Sequence, residues 1–311
     1  MKPRFIENID YGVESLLTIP KILLLSRHGL GRPENTSSLK DAVLLGNGPS
    51  LKGFLKQHLS FLEGKAIFCV NNFVRTEAFE QVKPHYYILA ATDFWQKEEK
   101  EGWLEERMRI FDELAEKTQW PMIFMVPALA KSHERWKKII GKNSNIRIAY
   151  FNNTPVEGFT GFIRFCLNQG WGMPRPHNVL VATLALALMM RFKKIYITGA
   201  DHSWLNEVFV TDDNRVFLSQ KHFYDDQLKS ATYTAEARPM YAGSSKRERK
   251  LHEILEKWYY SFRSYWQLKD YAQSIDSSIV NLTPKSYIDA FQRQSVQQLT
   301  VNDQSTTTKA P

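Results

Sequence analysis

Short apolar runs of strand length recur along this chain, at 42–45, 66–70, 86–91, 122–126, 146–150, 194–198 and 278–282. Stretches with helical spacing lie between them, at 96–117, 131–140, 159–168 and 179–191. That alternation constrains the fold more than any other feature. Strands alternating with helices build a mostly parallel sheet covered on both faces. The expected fold class is α/β, a Rossmann-like doubly wound sheet with a lid insertion and a C-terminal helical region. The run 179–191 is apolar nearly throughout and reads as a buried helix.

The same pass sets the expected boundaries. Residues 1–40 read as an N-terminal extension, its part from 26 onward a polar linker. Residues 41–291 read as one Rossmann-like domain, and a chain of 311 residues, 43% hydrophobic, has enough apolar material for a large core. Within it, about 203–243 is polar and aromatic with no clear period, which suits a long functional insertion or lid. Residues 245–271 read as one long helix, and 292–311 as a polar, disordered tail. There is no internal repeat.

The turn after the first run is Gly46-Asn47-Gly48-Pro49-Ser50. Its glycines allow a tight turn and close backbone approach to a phosphate. Pro49 suits the first turn of a helix, and helix N-termini bind anions. Asn47 can donate its amide to a phosphate oxygen. The turn is neither the dinucleotide fingerprint GxGxxG nor a P-loop. An ordinary strand-to-helix turn would read the same way.

In an open α/β sheet, ligands bind outside the carboxyl ends of the strands. Polar residues collect at those ends: Asn71 and Asn72, Thr92 and Asp93, Asn152 and Asn153, then Gly199, Asp201 and His202. Together they describe a crevice suited to ribose, base edges and sugar hydroxyls. Asp201-His202 is the sharpest acid/base pair, since a histidine beside a carboxylate can be poised near neutral pH. A capping aspartate beside a surface histidine fits equally well. His177 and Asn178 precede the buried helix and face the same crevice. His222, in the expected lid, reads as a solvated loop histidine.

Composition closes off some classes. Cys69 and Cys166 both sit in apolar runs, make no disulfide framework, and point to a reducing compartment. No His/Cys/Asp/Glu cluster has metal-site spacing. No secretory signal is visible, and the apolar stretch 16–25 is shorter than the ~20 residues a span needs. The net charge of +8 suits nucleic acid, anionic lipid or acidic small molecules alike. Lys246, Arg247, Arg249 and Lys250, followed by Trp258, Tyr259, Tyr260, Phe262, Tyr265 and Trp266, could bind single-stranded nucleic acid, lie at a membrane interface, or pack on the core.

The run Val43-Leu44-Leu45-Gly46-Asn47-Gly48-Pro49-Ser50-Leu51 resembles the N-terminal motif of bacterial CMP-sialic-acid-dependent sialyltransferases. It is also similar to a wider group related to the 6-hydroxymethylpterin pyrophosphokinases and the motility accessory glycosyltransferases. The likeness continues at Phe68-Cys69-Val70-Asn71-Asn72-Phe73, Ile195-Tyr196-Ile197-Thr198-Gly199-Ala200-Asp201 and Tyr241-Ala242-Gly243-Ser244-Ser245-Lys246, in the family's order. It implies a nucleotide-sugar transferase in which Asn47 contacts the CMP phosphate, Asn71 and Asp201 the nucleotide sugar, and Tyr241 a phosphate. Gly46, Gly48, Ser50, Thr92, Asn178, Gly199 and Ser244 complete the expected donor site.

The donor is then a CMP-activated keto-sugar acid, the acceptor a glycan or lipid-linked molecule of surface-polysaccharide or lipopolysaccharide assembly. No cofactor or metal is implied, nor a nucleic-acid partner. The expected location is the cytoplasm, at the inner face of the membrane, and a homo-oligomer is compatible with it. Two blocks depart from the family. Ser244 stands where the sialyltransferases carry a histidine base, and Arg175-Pro176-His177-Asn178 stands in place of Arg-x-Thr-Ser. The base is therefore expected at His202, His177 or Asp93, with Asp201 beside it. Two other readings stand beside this one. An ATP- and magnesium-dependent diphosphokinase would hold its ion on carboxylates such as Asp93 and Asp201. A non-catalytic nucleotide- or RNA-binding protein would use the basic helix.

Overall fold

A computed structural model describes residues 4–95, 103–219, 221–225, 237–241 and 247–299. The chain opens with α1 (Arg4–Leu25), β1 (Asp41–Leu45), α2 (Ser50–His58), β2 (Ala66–Val70), α3 (Ala78–Val82) and β3 (Tyr86–Ile88). It continues with α4 (Trp103–Lys117), β4 (Met122–Pro127), α5 (Glu134–Ile140), β5 (Ile146–Phe151), α6 (Thr160–Gln169), α7 (Val179–Met189) and β6 (Lys194–Thr198). Three short strands follow, β7 (Val208–Val210), β8 (Val216–Leu218) and β9 (Arg238–Pro239), then α8 (Leu251–Ser274), β10 (Ser278–Asn281) and β11 (Gln292–Arg293).

The main sheet has the order β11-β10-β6-β1-β2-β3-β4-β5, and all its pairs are parallel. The fold is therefore α/β and Rossmann-like, as the alternation of runs requires. Alternate residues of each strand face opposite layers. Ala42 and Leu44 of β1, with Ala66, Phe68 and Val70 of β2, join the core under α6, α7 and α8. Val43 and Leu45, with Ile67 and Cys69, join the core under α2, α4 and α5. Helix α7 is buried from Leu180 to Met189, because it lies between the sheet and the outer helices α6 and α8. Both cysteines are free and buried.

The chain winds outward from β1 to β5, then returns to the other side of β1 to lay down β6, β10 and β11. The direction reverses between β1 and β6. At such a switch point neighbouring loops leave in opposite directions and open a crevice at the carboxyl ends of the strands.

Four expectations need correction. The N-terminal extension, for which no element was expected before residue 41, carries α1, which packs on the domain through Thr18 and Ile22, with Ser26 just after it, all buried. The start of the expected disordered tail is structured, since β11 pairs with β10, and Val296 and Leu299 pack against the core. The long helix starts at Leu251 rather than 245. The segment expected as an irregular lid holds a small antiparallel sheet, β7-β8-β9, whose Val216 and Leu218 pack on Ile254 and Trp258 of α8. Residues 96–102, expected to open α4, lie outside the described residues.

Candidate functional site

Two turns meet at the switch point. The Gly46 N–H donates to the Thr198 carbonyl at 2.8 Å, and the Gly48 N–H to the Gly199 carbonyl at 2.8 Å. A side chain would destroy this contact. A Cβ at Gly46 would stand 2.4 Å from the Gly199 oxygen, and one at Gly199 would stand 2.3 Å from the Gly46 oxygen. Gly199 also has φ +66°, the left-handed region. A Cβ at Gly48 would fall 2.0 Å from Asp201 Oδ2. All three glycines are thus required by the docking of one turn on the other.

That docking places Asp201 at the amino end of α2. Its Oδ2 accepts from Ser50 Oγ at 2.8 Å and from the Ser50 N–H at 3.4 Å. The positive end of the helix therefore already faces a carboxylate. Burial raises the Asp201 pKa, while the Ser50 hydrogen bonds work against that rise.

Beside these turns lies a cavity of about 340 Å³. Gly46, Asn47, Gly48, Asn71, Gly199 and Asp201 form one wall. Opposite stands the amino end of α7, with His177, Asn178 and Val179, and His202 and Trp204 close a third side. The insertion supplies the roof through Glu207, Ser219, Lys221 and His222. It is held down where the Phe223 N–H donates to the Asn47 carbonyl at 3.0 Å and the Phe223 ring meets Phe73.

The asparagines around this cavity are incompletely satisfied. Asn47 Nδ2 donates to the Val70 carbonyl at 3.1 Å, and its Oδ1 is buried with no partner. Asn71 has φ +50° and a buried, unpartnered Oδ1. Its backbone is pinned by Tyr87, whose hydroxyl donates to the Asn71 carbonyl and accepts the Val74 N–H. Asn178 caps α7 by accepting the Val181 N–H at 3.0 Å, and its Nδ2 is buried and unpartnered. Buried polar atoms normally find partners, so three such atoms around one cavity mark a place for a polar ligand.

His202 sits at φ +52°, stacked on Trp204 with ring centroids 4.2 Å apart. Its Nε2 lies 2.7 Å from the Tyr265 hydroxyl, which donates to Asn178 Oδ1 at 3.2 Å. In the tautomer that lets that hydroxyl donate to Asn178, His202 donates from Nε2 and keeps Nδ1 as an acceptor. Burial pushes the His202 pKa down to about 3, so the ring is neutral at physiological pH. His177 is lowered too, first by burial and then by the charges of Lys257 and Arg175.

The cavity thus gathers Gly46, Asn47, Gly48, Asn71, His177, Asn178, Gly199, Asp201 and His202, with Ser50 one bond behind Asp201. Tyr241 stands elsewhere, 51% exposed, its carbonyl accepting from Arg249. Thr92 and Asp93 begin a helical turn, and their side chains lie outside what is described, as does Ser244. Sequence reasoning did not place Trp204, Glu207, Ser219 and Lys221 at the site, and it read His222 as solvated. The aromatic run from Trp204 to Tyr224 was the available signal. Among the described residues, no group of three or more His, Cys, Asp or Glu side chains could hold a metal ion.

No protein-family model matches the chain, and its sequence matches no curated protein. Among solved structures it is similar to the MAf glycosyltransferase from Magnetospirillum magneticum AMB-1, with a TM-score of 0.47 and 9% identity. The match covers 95% of this chain and 41% of that one, so the chain spans less than half the length of that protein.

Proposed function

We propose that this chain is a nucleotide-sugar glycosyltransferase whose donor binds in the cavity at the β1/β6 switch point. The observation that carries the reading is the set of buried, unpartnered amide atoms on Asn47, Asn71 and Asn178 around that cavity. A nucleotide offers both donors and acceptors to such atoms. The resemblance of Val43–Leu51 and Ile195–Asp201 to the CMP-sialic-acid-dependent transferases supports a CMP-activated keto-sugar acid as donor.

The geometry distributes the ligand's charge. The amino end of α2 already faces Asp201, so an anionic group fits better at the amino end of α7, where the helix dipole also favours it. His202 Nδ1 then serves as a neutral acceptor for a ribose or sugar hydroxyl. A base must titrate nearer the working pH. His177, at the edge of the same cavity, is the better placed histidine for that role.

Calorimetry tests the reading. CMP should bind the wild-type chain without added metal. Asn47→Ala should weaken that binding by roughly 0.5–1.5 kcal/mol, about two- to tenfold, while the protein stays folded. Unchanged CMP affinity in the folded variant removes Asn47 from the site. Binding of ATP only with magnesium, and none of CMP, would favour the diphosphokinase instead.

A further inference from the structure

Helix α1 is amphipathic in the reverse of the usual sense. The side that meets the protein is mostly polar, with Ile22 packed into the core. Thr18 exchanges hydrogen bonds with the Glu157 backbone, Ser15 Oγ accepts the Phe159 N–H at 3.0 Å, and Glu14 makes a two-point ion pair with Arg263. Ser26, just after the helix, donates to the Trp171 carbonyl and accepts from the Thr154 hydroxyl. Gly158, at φ +112°, lets the 157–159 loop lie directly on the helix, since a Cβ there would stand 2.0 Å from Ser15 Oγ.

The opposite side is apolar and uncovered. Ile6, Ile9, Val13, Leu16, Leu17 and Leu24 fall within about 120° of the helix circumference at 100° per residue, and all are exposed. Leu16 is 68% exposed and Leu24 83%. From Ile6 to Leu24 the stripe runs about 27 Å. Scattered exposed leucines need no explanation, but a contiguous stripe on one helix does. A surface helix ordinarily turns such a stripe inward.

Two observations name what covers it. The first is charge. At the carboxyl end of α1, Arg27 and Lys131, both exposed, line one recess, and Lys257 lines the cleft alongside. On the helix itself, the acidic side chains Glu7, Asp10 and Glu14 are only half-exposed, and Glu14 is neutralised by Arg263. The second is continuity with the site. A cleft of about 700 Å³ shares Ala90, Ala91, Pro176 and His177 with the donor cavity. Its other end is rimmed by Leu24, Leu25 and the 55% exposed Leu129, together with Arg27. An apolar rim set with cations, opening from a polar site, matches a bilayer surface with anionic head groups. Among the described residues no helix is long and apolar enough to cross a membrane, so α1 would lie in the interface rather than span it.

We infer that α1 is a membrane-surface helix that docks the protein on an anionic lipid bilayer and brings the mouth of the cleft to head-group level. The inference does not depend on which reaction the cavity supports.

The test is co-flotation of the full chain with vesicles of phosphatidylcholine alone and of phosphatidylcholine with phosphatidylglycerol, alongside light scattering in the same buffer. The wild type should float with the anionic vesicles and much less with the neutral ones. Leu17→Glu/Leu24→Glu should lower the partition coefficient at least about tenfold, since charge on the apolar face opposes insertion. Arg27→Glu/Lys131→Glu should lower it too, and added salt should weaken wild-type binding by screening. In a Leu24→Trp variant, tryptophan emission should move to the blue on anionic vesicles, a readout taken on the folded protein. Failure of the wild type to float overturns the inference. So does equal flotation on neutral vesicles, or flotation that Leu17→Glu/Leu24→Glu leaves unchanged. A wild-type dimer that this double variant turns into monomers also overturns it, assigning the stripe to a second copy of the chain.

Discussion

His202 shows how burial changes the task a residue can perform. Its Nε2–H is committed to Tyr265 and its ring to Trp204, and the site holds it neutral with a pKa of about 3 against the usual 6.5. In the unfolded chain the same ring takes up a proton below pH 6.5. The unfolded state therefore binds more protons between pH 6.5 and 3, and the stability linked to this group is present above 6.5 and lost as pH falls. His177 and His85 are lowered as well and act in the same direction, so the contribution of His202 must be read as a difference. His202→Gln should destabilise the protein at pH 7, and its penalty should be smaller at pH 5 by about 2 kcal/mol, at ~1.4 kcal/mol per pH unit. Urea denaturation of both proteins at the two pH values measures this. An equal penalty at both would mean that His202 titrates normally. The adjacency of Asp201 and His202 suggested an acid/base pair. In the structure the carboxylate turns to Ser50 and the imidazole to Tyr265, so the two neighbours serve different partners.

At the level of elements, the pattern of legibility follows the range of the contacts. Strands β1 to β4 and β6 could be read because both faces are buried, and each therefore appears as an apolar run; edge strand β5 keeps only its ends, Ile146 and Phe151, buried. Buried helix α7 was legible for the same reason. The small sheet β7-β8-β9 was not, since its pairing brings Arg238 back to Leu218 across a stretch with no period of its own. Helix α1 was read as an extension because most of its apolar residues are outside, Ile22 apart, and its polar ones bind the domain. The aromatics of α8 left three readings open; Trp258 and Tyr265 are buried in the cores, whereas Tyr259 and Trp266 are exposed. The glycine turn was found, but its reason was hidden. Gly46 and Gly48 meet Gly199 and Asp201, about 150 positions away. This gives a paired test. Gly199→Ala forces a Cβ against the Gly46 carbonyl at a left-handed φ and should cost roughly 2–4 kcal/mol. Gly53→Ala, in α2 with open space around it, should stabilise by about 0.5–1 kcal/mol. Thermal and urea unfolding of both variants checks the pair. A harmless Gly199→Ala would mean that the two turns are not held in contact.

For the whole molecule, the sheet divides at the seam between β1 and β6, and the candidate site lies on that seam. The chain up to β5 supplies Asn47 and Asn71, and the chain after it supplies Asn178, Asp201, His202 and the roof from Glu207 to His222. Beyond the β1–β6 ladder, the halves are joined around the cavity by the hydrogen bonds of Gly46 to Thr198, Gly48 to Gly199, Ser50 to Asp201, and Phe223 to the Asn47 carbonyl. A ligand that pairs the unused amide atoms on both sides would tie the halves together. Any ligand bound only by the native state stabilises it by about 2.7 kcal/mol at a hundred times its dissociation constant. For a chain of this size that corresponds to a rise of roughly 4 °C in the thermal midpoint. The distribution of the effect is the sharper test. In hydrogen–deuterium exchange, saturating CMP should slow exchange at 46–51, 177–182, 199–204 and 219–225, on both sides of the seam. Exchange in α1 and β11 should stay as it was, because neither touches the cavity. Protection confined to one half, or centred on the cleft beside Leu129, would place the nucleotide away from the switch point and remove the amides as its partners.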